Sequence, residues 1–302
     1  MKPPRLRAGA RVALVAPAGP VTDERIEGAL ARCAALELEP VLGRSARVRT
    51  AYLAGPDEDR AADLQAAFSD PAADAVWALR GGYGCMRLLP LLDLAPMVAR
   101  PKALIGFSDI TALHLTLARA GVVSFHGPHP ADQPTAITDA CFRRVLFDAE
   151  PAGILPGTEG PAAPVTLMGG VAVGALVGGN LSMVAATCGT PAGMTAEGRI
   201  VFLEEVGEPG YRVDRMLAQL RLAGALDGAV GLAFGQFTEV PPYANDRPIA
   251  DVLAEYAGAL DIPAVFGLPI GHVADNWTLP LGVRARLDAD AGTLALLESA
   301  VL

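Results

Sequence analysis

Between residues 11 and 125 the chain repeats one alternation, a short β-branched or apolar run followed by a longer segment of helical period. The runs are 12–16, 40–42, 75–79, 103–106 and 122–125; the segments between them are a helix capped by Thr22 and reaching Leu36, then 58–68, 86–94 and 110–120. A strand that is apolar on both faces needs cover on both sides, and parallel neighbours need a crossover between them, usually a helix. The pattern predicts an α/β fold, a doubly wound parallel sheet whose ligands bind outside the carboxyl ends of its strands.

A turn-rich stretch, 151–164, breaks the pattern with prolines and glycines and no periodicity. It sets the expected domain limits: 1–150 as the parallel domain, 151–168 as a linker, and 169–302 as a smaller, β-rich mixed domain. In the second part, 199–203, 229–234 and 264–268 read as strands, and 284–287 with 293–297 flank Asp290-Ala291-Gly292 as a terminal hairpin. Two helices interrupt them, 213–223, with Val213, Met216, Leu217 and Leu220 on one face, and 249–260.

With 52% hydrophobic residues in 302, the chain can bury a large core, and its formal charge of −9 gives no basic stripe for nucleic acid or anionic membrane. The apolar run after the basic start is too short for a signal core and is interrupted by Pro17, and no segment has the roughly 18 to 20 apolar residues of a membrane span. Cys33, Cys85, Cys141 and Cys188 form no Cys-x-x-Cys pair, which predicts reduced, mostly buried thiols in a cytoplasmic protein.

Chemistry-bearing residues gather at the expected strand ends. Ser108, in Gly106-Phe107-Ser108-Asp109, follows one strand and opens a helix, where free backbone N–H groups suit a developing oxyanion; Ser108 or Asp109 could equally be a helix cap. Ile110 replaces the last glycine of the Gly-x-Ser-x-Gly elbow. Arg80-Gly81-Gly82-Tyr83-Gly84 follows another strand, where glycines let backbone approach a substrate, or simply make a tight turn; Arg87 rules out a dinucleotide fingerprint. Glu204 and Glu205 end a strand, so alternation turns one inward and one outward, whether for catalysis or as a solvated strand end.

Of the four histidines, His114 falls within a helix, and His126 and His129 lie in an irregular loop that lacks a third metal ligand, so no metal is expected. His272 follows Pro269-Ile270-Gly271 in the second part of the chain, where a base could face a serine across a cleft.

These segments together resemble the LD-carboxypeptidase family of serine peptidases, the muramoyltetrapeptide carboxypeptidases. The resemblance runs nearly end to end, through Val12-Ala13-Leu14-Val15-Ala16-Pro17-Ala18-Gly19, Arg80-Gly81-Gly82-Tyr83-Gly84, Ile105-Gly106-Phe107-Ser108-Asp109-Ile110-Thr111, Phe125-His126-Gly127-Pro128, Gly178-Gly179-Asn180-Leu181, Phe202-Leu203-Glu204-Glu205, Tyr211-Arg212-Val213-Asp214-Arg215 and Pro269-Ile270-Gly271-His272. It implies a Ser108, Glu204, His272 triad, with the backbone amides of Gly82 and Asp109 as oxyanion donors. Glu205 stands where relatives commonly carry aspartate.

The resemblance also implies the substrate and setting. The substrate is a small peptide, a cytoplasmic murein tetrapeptide losing its terminal D-alanine at an L–D bond during cell-wall recycling; no cofactor is needed, and the partner is a second copy in a homodimer. Arg80, Arg212 and Arg215 are candidates for the substrate carboxylate, or for ion pairs with Asp214 or Glu208; Tyr83 lies in the glycine loop, and Asn180 could bind substrate or cap a helix. One alternative is a peptidase like the microcin C self-immunity enzyme, which cleaves aminoacyl nucleotides and needs an aromatic face for the base; another is a non-catalytic ligand-binding α/β protein.

Overall fold

The computed structural model describes residues 1–157 and 163–302. Its first half runs β1 (Arg11–Val15), α1 (Asp23–Ala35), β2 (Glu39–Leu42), α2 (Asp57–Ser69), β3 (Ala75–Ala78), α3 (Cys85–Leu88), α4 (Ala95–Ala99), β4 (Ala103–Gly106), α5 (Thr111–Arg119), β5 (Ser124–His126) and α6 (Ala136–Leu146). The second half runs β6 (Gly153–Ile154), β7 (Val165–Met168), β8 (Val171–Asn180), α7 (Leu181–Thr187), β9 (Arg199–Val206), α8 (Gly210–Leu222), β10 (Gly231–Thr238), α9 (Ile249–Leu260), β11 (Ala264–Phe266), β12 (Leu279–Leu281), β13 (Arg284–Asp288) and β14 (Thr293–Leu296). Part of the expected linker, residues 158–162, lies outside the described residues.

The first sheet has the order β12-β5-β4-β3-β1-β2, and β1 to β5 are parallel. Alternate side chains of β1 enter two cores: Val12 and Leu14 join the one that takes in α1 and α6, Ala13 and Val15 the one that takes in α2 and α5. Both faces are therefore covered, as the unbroken apolar runs require. The order reverses between β1 and β3, which leaves a crevice at their carboxyl ends. The second sheet is mixed, with order β6-β14-β13-β8-β9-β10-β11-β7 and a parallel centre from β8 to β11.

The sequence reading assigned no strand to β8, nor to β6 and β7, which fall within the expected linker, and three further features depart from it. The single helix expected over 86–94 shortens to α3 and a 3₁₀ turn at Leu89–Leu91, because Pro90 lacks the amide proton an α-helix needs and clashes with the preceding turn; α4 starts beyond it, with Pro96 in its first turn, where proline is tolerated. The helix α6 was not anticipated, although Thr135 caps it by accepting from the Thr138 amide. Finally, β12 leaves the second sheet and adds antiparallel to β5, pairing Leu279 with His126. Pro280 is tolerated there because β12 is an edge strand.

Trp77 on β3 locks α6 to the first sheet: it is buried, stacks on Phe142 at 4.9 Å between centroids, and donates from Nε1 to Pro128 O at 2.9 Å. Trp77→Ala should cost about 3–5 kcal/mol in urea-induced unfolding. Trp77→Phe should cost less, since it keeps the stacking and loses the hydrogen bond.

Candidate active site

The serine turn is built at the carboxyl edge of the first sheet. Gly106 ends β4, Ser108 follows at φ 62°, and a 3₁₀ turn, Ser108–Ile110, leads into α5. A left-handed serine costs about 1–3 kcal/mol and persists only where its surroundings over-determine it. Here the Gly106 carbonyl accepts from Gly127 N at 3.1 Å and from His114 Nε2 at 2.8 Å, while His114 Nδ1 accepts from Ser124 Oγ at 2.9 Å. Asp109 turns away from the cleft and accepts from Cys85 N at 2.8 Å, capping α3 with a carboxyl whose pKa is raised by burial.

The glycine loop lies against this turn. A Cβ on Gly81 would fall 2.8 Å from Ser108 Cβ, so this close approach admits only glycine. Gly19 N donates to Gly81 O at 3.2 Å, and Arg80 Nη1 donates to Pro20 O at 3.1 Å, tying the loop after β3 to the one after β1. Arg60, fully buried beneath, donates to the carbonyls of Gly55 at 3.1 Å, Gly84 at 3.2 Å and Pro17, and pairs with Asp57. Gly82 has φ 116°, and the Asp109 amide belongs to a first helical turn, which has no intrahelical acceptor. Two N–H groups beside a serine can stabilise an oxyanion.

Strand alternation separates the glutamates. Glu204 is completely buried and its Oε2 lies 2.8 Å from His272 Nδ1. Gly271 (φ 103°) and Gly235 clear the space: a Cβ on Gly271 would sit 2.3 Å from Glu204 Oε2, and one on Gly235 would sit 3.1 Å from Glu204 Cβ. Glu205 accepts from Asn180 Nδ2 at 3.0 Å and from Ser182 N at 2.7 Å, which secures the start of α7.

The His272 ring packs edge-on against Phe107, the residue before Ser108, at 4.8 Å between centroids. With Nδ1 on the carboxylate, Nε2 is the nitrogen left to act. Among the described hydrogen bonds none joins it to the Ser108 hydroxyl; contacts of this kind often tighten only when substrate is bound. Burial pulls the His272 pKa down, but the hydrogen bond and charge of Glu204, with Glu205 and Asp132 behind it, carry it above the ordinary 6.5.

The other histidines are structural in geometry. Burial lowers His114 and His129 to about 4 and His126 well below its ordinary value. His129 Nδ1 donates to Ala78 O at 2.9 Å. No group of three His, Cys, Asp or Glu side chains among the described residues could hold a metal. Cys33, Cys85, Cys141 and Cys188 are free thiols.

The remaining candidates divide. Arg212 pairs with Glu208 at 2.7 Å and Arg215 lies 5.9 Å from the centre of the Tyr211 ring, so both are engaged within their own helix and its approach. Asn180 caps α7 by accepting from Met183 N at 3.2 Å, which with its bond to Glu205 engages both ends of its amide. Tyr83 is half exposed and meets Tyr52 edge-on at 5.6 Å. Sequence reasoning missed Phe107, Gly81, Gly235 and Arg60. Only the glycines left a local signal, since the aromatic and the buried cation matter through partners distant in the chain.

By NMR, His272 should titrate above pH 6.5 and His114 and His129 near 4, with Glu204→Gln lowering only His272. The unfolded chain protonates all four near 6.5. Three rings that stay neutral in the fold therefore withdraw stability as pH falls from 6.5 toward 4. His272 works in the opposite sense, contributing below 6.5 and losing its contribution as pH rises through its raised value.

Known proteins resemble this chain over nearly its whole length. Residues 12–127 match the LD-carboxypeptidase N-terminal domain and residues 173–287 its C-terminal domain. A putative carboxypeptidase of Streptomyces coelicolor is 44% identical, covering 98% of this chain and 96% of its own. The murein tetrapeptide carboxypeptidase of Pseudomonas aeruginosa is 38% identical, covering 93% and 94%. The crystal structure of muramoyltetrapeptide carboxypeptidase from Oxalobacter formigenes superposes with a TM-score of 0.81 at 33% identity, over 95% of this chain and 98% of that one. With both halves matched and full-length relatives well above 30% identity, the chain belongs to the LD-carboxypeptidase family.

Proposed function

We propose that this serine carboxypeptidase releases the terminal D-alanine of a murein tetrapeptide in the cytoplasm, with Ser108 as nucleophile, His272 as general base and Glu204 as its orienting acid. The observation that carries the reading is the 2.8 Å contact between a buried carboxylate and His272 Nδ1, on a ring packed edge-on against the residue next to Ser108. The relatives named for murein tetrapeptides support the substrate. No helix among the described residues is long and apolar enough to cross a membrane. The homodimer implied by the resemblance belongs to the same reading.

In this mechanism His272 Nε2 takes the Ser108 proton as Oγ attacks the carbonyl of the L–D bond. Negative charge then moves onto the carbonyl oxygen, toward the amides of Gly82 and Asp109. The imidazolium, stabilised by Glu204, returns its proton to the departing D-alanine nitrogen. Water, deprotonated by the same ring, then hydrolyses the acyl-enzyme and frees the tripeptide and Ser108. Arg80, partly buried beside the glycine loop that packs on Ser108, is the arginine assigned to a substrate carboxylate in this reading. A base-stacking role for tryptophan, which the aminoacyl-nucleotide alternative would favour, finds no surface, since Trp77 and Trp277 are both buried.

Mass spectrometry of a murein tetrapeptide incubated with the enzyme should show loss of one alanine. Ser108→Ala and His272→Ala should each lower kcat by at least about 10³-fold. A His272→Ala enzyme within tenfold of wild type would overturn the assignment. Because the base must be neutral, the acidic limb of kcat/KM should lie above pH 6.5 and move down in Glu204→Gln.

A further inference from the structure

The segment that carries His272 is held from two sides. Toward the second sheet, Gln236 N donates to Ile270 O at 3.0 Å and His272 Nδ1 meets Glu204 at 2.8 Å. Toward the first, the segment leans on the opening turn of α6. The Thr138 hydroxyl donates to Ala274 O at 2.9 Å and accepts from Asn276 N at 3.0 Å, while Thr135 Oγ1 donates to Asp275 Oδ1 at 2.6 Å. Asn276 then closes the segment on itself, its Oδ1 accepting from Gly271 N, the amide just before His272, at 3.0 Å. Thr138 and Asn276 are 2% and 3% exposed, and the bonds from Asn276 N to Thr138 and from Gly271 N to Asn276 are buried.

Packing alone does not hold this segment. A cleft of about 450 Å³ opens beside it, lined by Thr138, Asn276, His272, Ala274, Phe107 and Asp132. Apolar contact can fix a loop only where atoms fill the space around it, and here one side is open. Directional hydrogen bonds must supply what packing does not. Without the Thr138 hydroxyl, the Asn276 amide and the Ala274 carbonyl lose their partner and the loop has room to shift, carrying Gly271 and His272 with it.

We propose that Thr138 and Asn276 are positioning residues for His272, a polar brace by which a helix of the first sheet sets the imidazole over the serine turn. This rests on the triad reading given above. It makes alignment of base and nucleophile depend on one helix turn, not only on how the two sheets pack. The charged and titratable groups around the ring are Glu204 from β9, with Glu205 behind it, Asp132 from the loop before α6, Arg25 of α1, which lines the same cleft and pairs with Asp132, and His126 and His129 from β5 and the loop after it. None is removed by altering Thr138.

The test compares wild type, Thr138→Val, Thr138→Ser, Asn276→Ala and His272→Ala on alanine release from a murein tetrapeptide, with near-ultraviolet circular dichroism to normalise for folded enzyme. Thr138→Val and Asn276→Ala should lower kcat about 10- to 100-fold, the loss expected of a misplacement near 1 Å. KM should stay within about threefold, and the acidic limb of the pH profile should move down as the ring slips from Glu204. Thr138→Ser, which keeps the hydroxyl, should recover most of kcat. Wild-type kcat in Thr138→Val, or equal losses in the Val and Ser variants, with His272→Ala inactive, would overturn the brace and leave the triad standing. Full activity in His272→Ala would instead remove the triad reading and the brace with it. Should Thr138→Val fail to fold, Asn276→Ala carries the same comparison.

Discussion

The arrangement depends on a carboxylate that has been taken out of water. Glu204 is fully buried on the central part of the second sheet, and its contact with His272 at 2.8 Å is the compensation for that burial. A side chain on Gly271 beside the histidine would displace the carboxylate, and one on Gly235 of β10 would strike the Ile270 backbone that leads to it. The same contact fixes which imidazole nitrogen is committed and raises the ring's pKa against the pull of burial. A neutral neighbour could orient the ring, but only a charged one also favours the imidazolium that forms when a serine is deprotonated.

The serine side carries a different constraint, backbone strain. A left-handed serine at the end of β4 is held by the bonds converging on Gly106 and by the loop after β3, which presses so closely that Gly81 has no alternative. Arg60 is the anchor beneath, one buried guanidinium bonded to three loops at the sheet's carboxyl edge. The crevice position is what doubly wound topology prescribes. Its precision comes from these local devices.

The two sheets share buried residues. One continuous core contains Val12 and Trp77 of the first sheet and Phe202 and Leu232 of the second, and β12 crosses back to extend the first sheet. That return follows directly after the His272 segment, so the chain is fastened to the first sheet within a few residues of the base. In β9, alternation sends Glu204 to His272 and Glu205 to the start of α7, so adjacent acids do unrelated work.

Much of this was legible in the sequence. Apolar runs alternating with helical periods dictated the parallel sheet, since strands apolar on both faces have no other way to be covered. Glycines and strand ends marked the turns where chemistry could gather, and the order of the motifs carried the family resemblance that implied Ser108, Glu204 and His272. Other features were decided only in three dimensions. The opposite burial partners of Glu204 and Glu205, the brace on α6, the buried Arg60 and the return of β12 all depend on partners tens to more than a hundred positions away. Local pattern records the conformation a segment adopts; which groups end within hydrogen-bonding distance is set by how the sheets pack, and burial then decides which charges are held and which are tolerated.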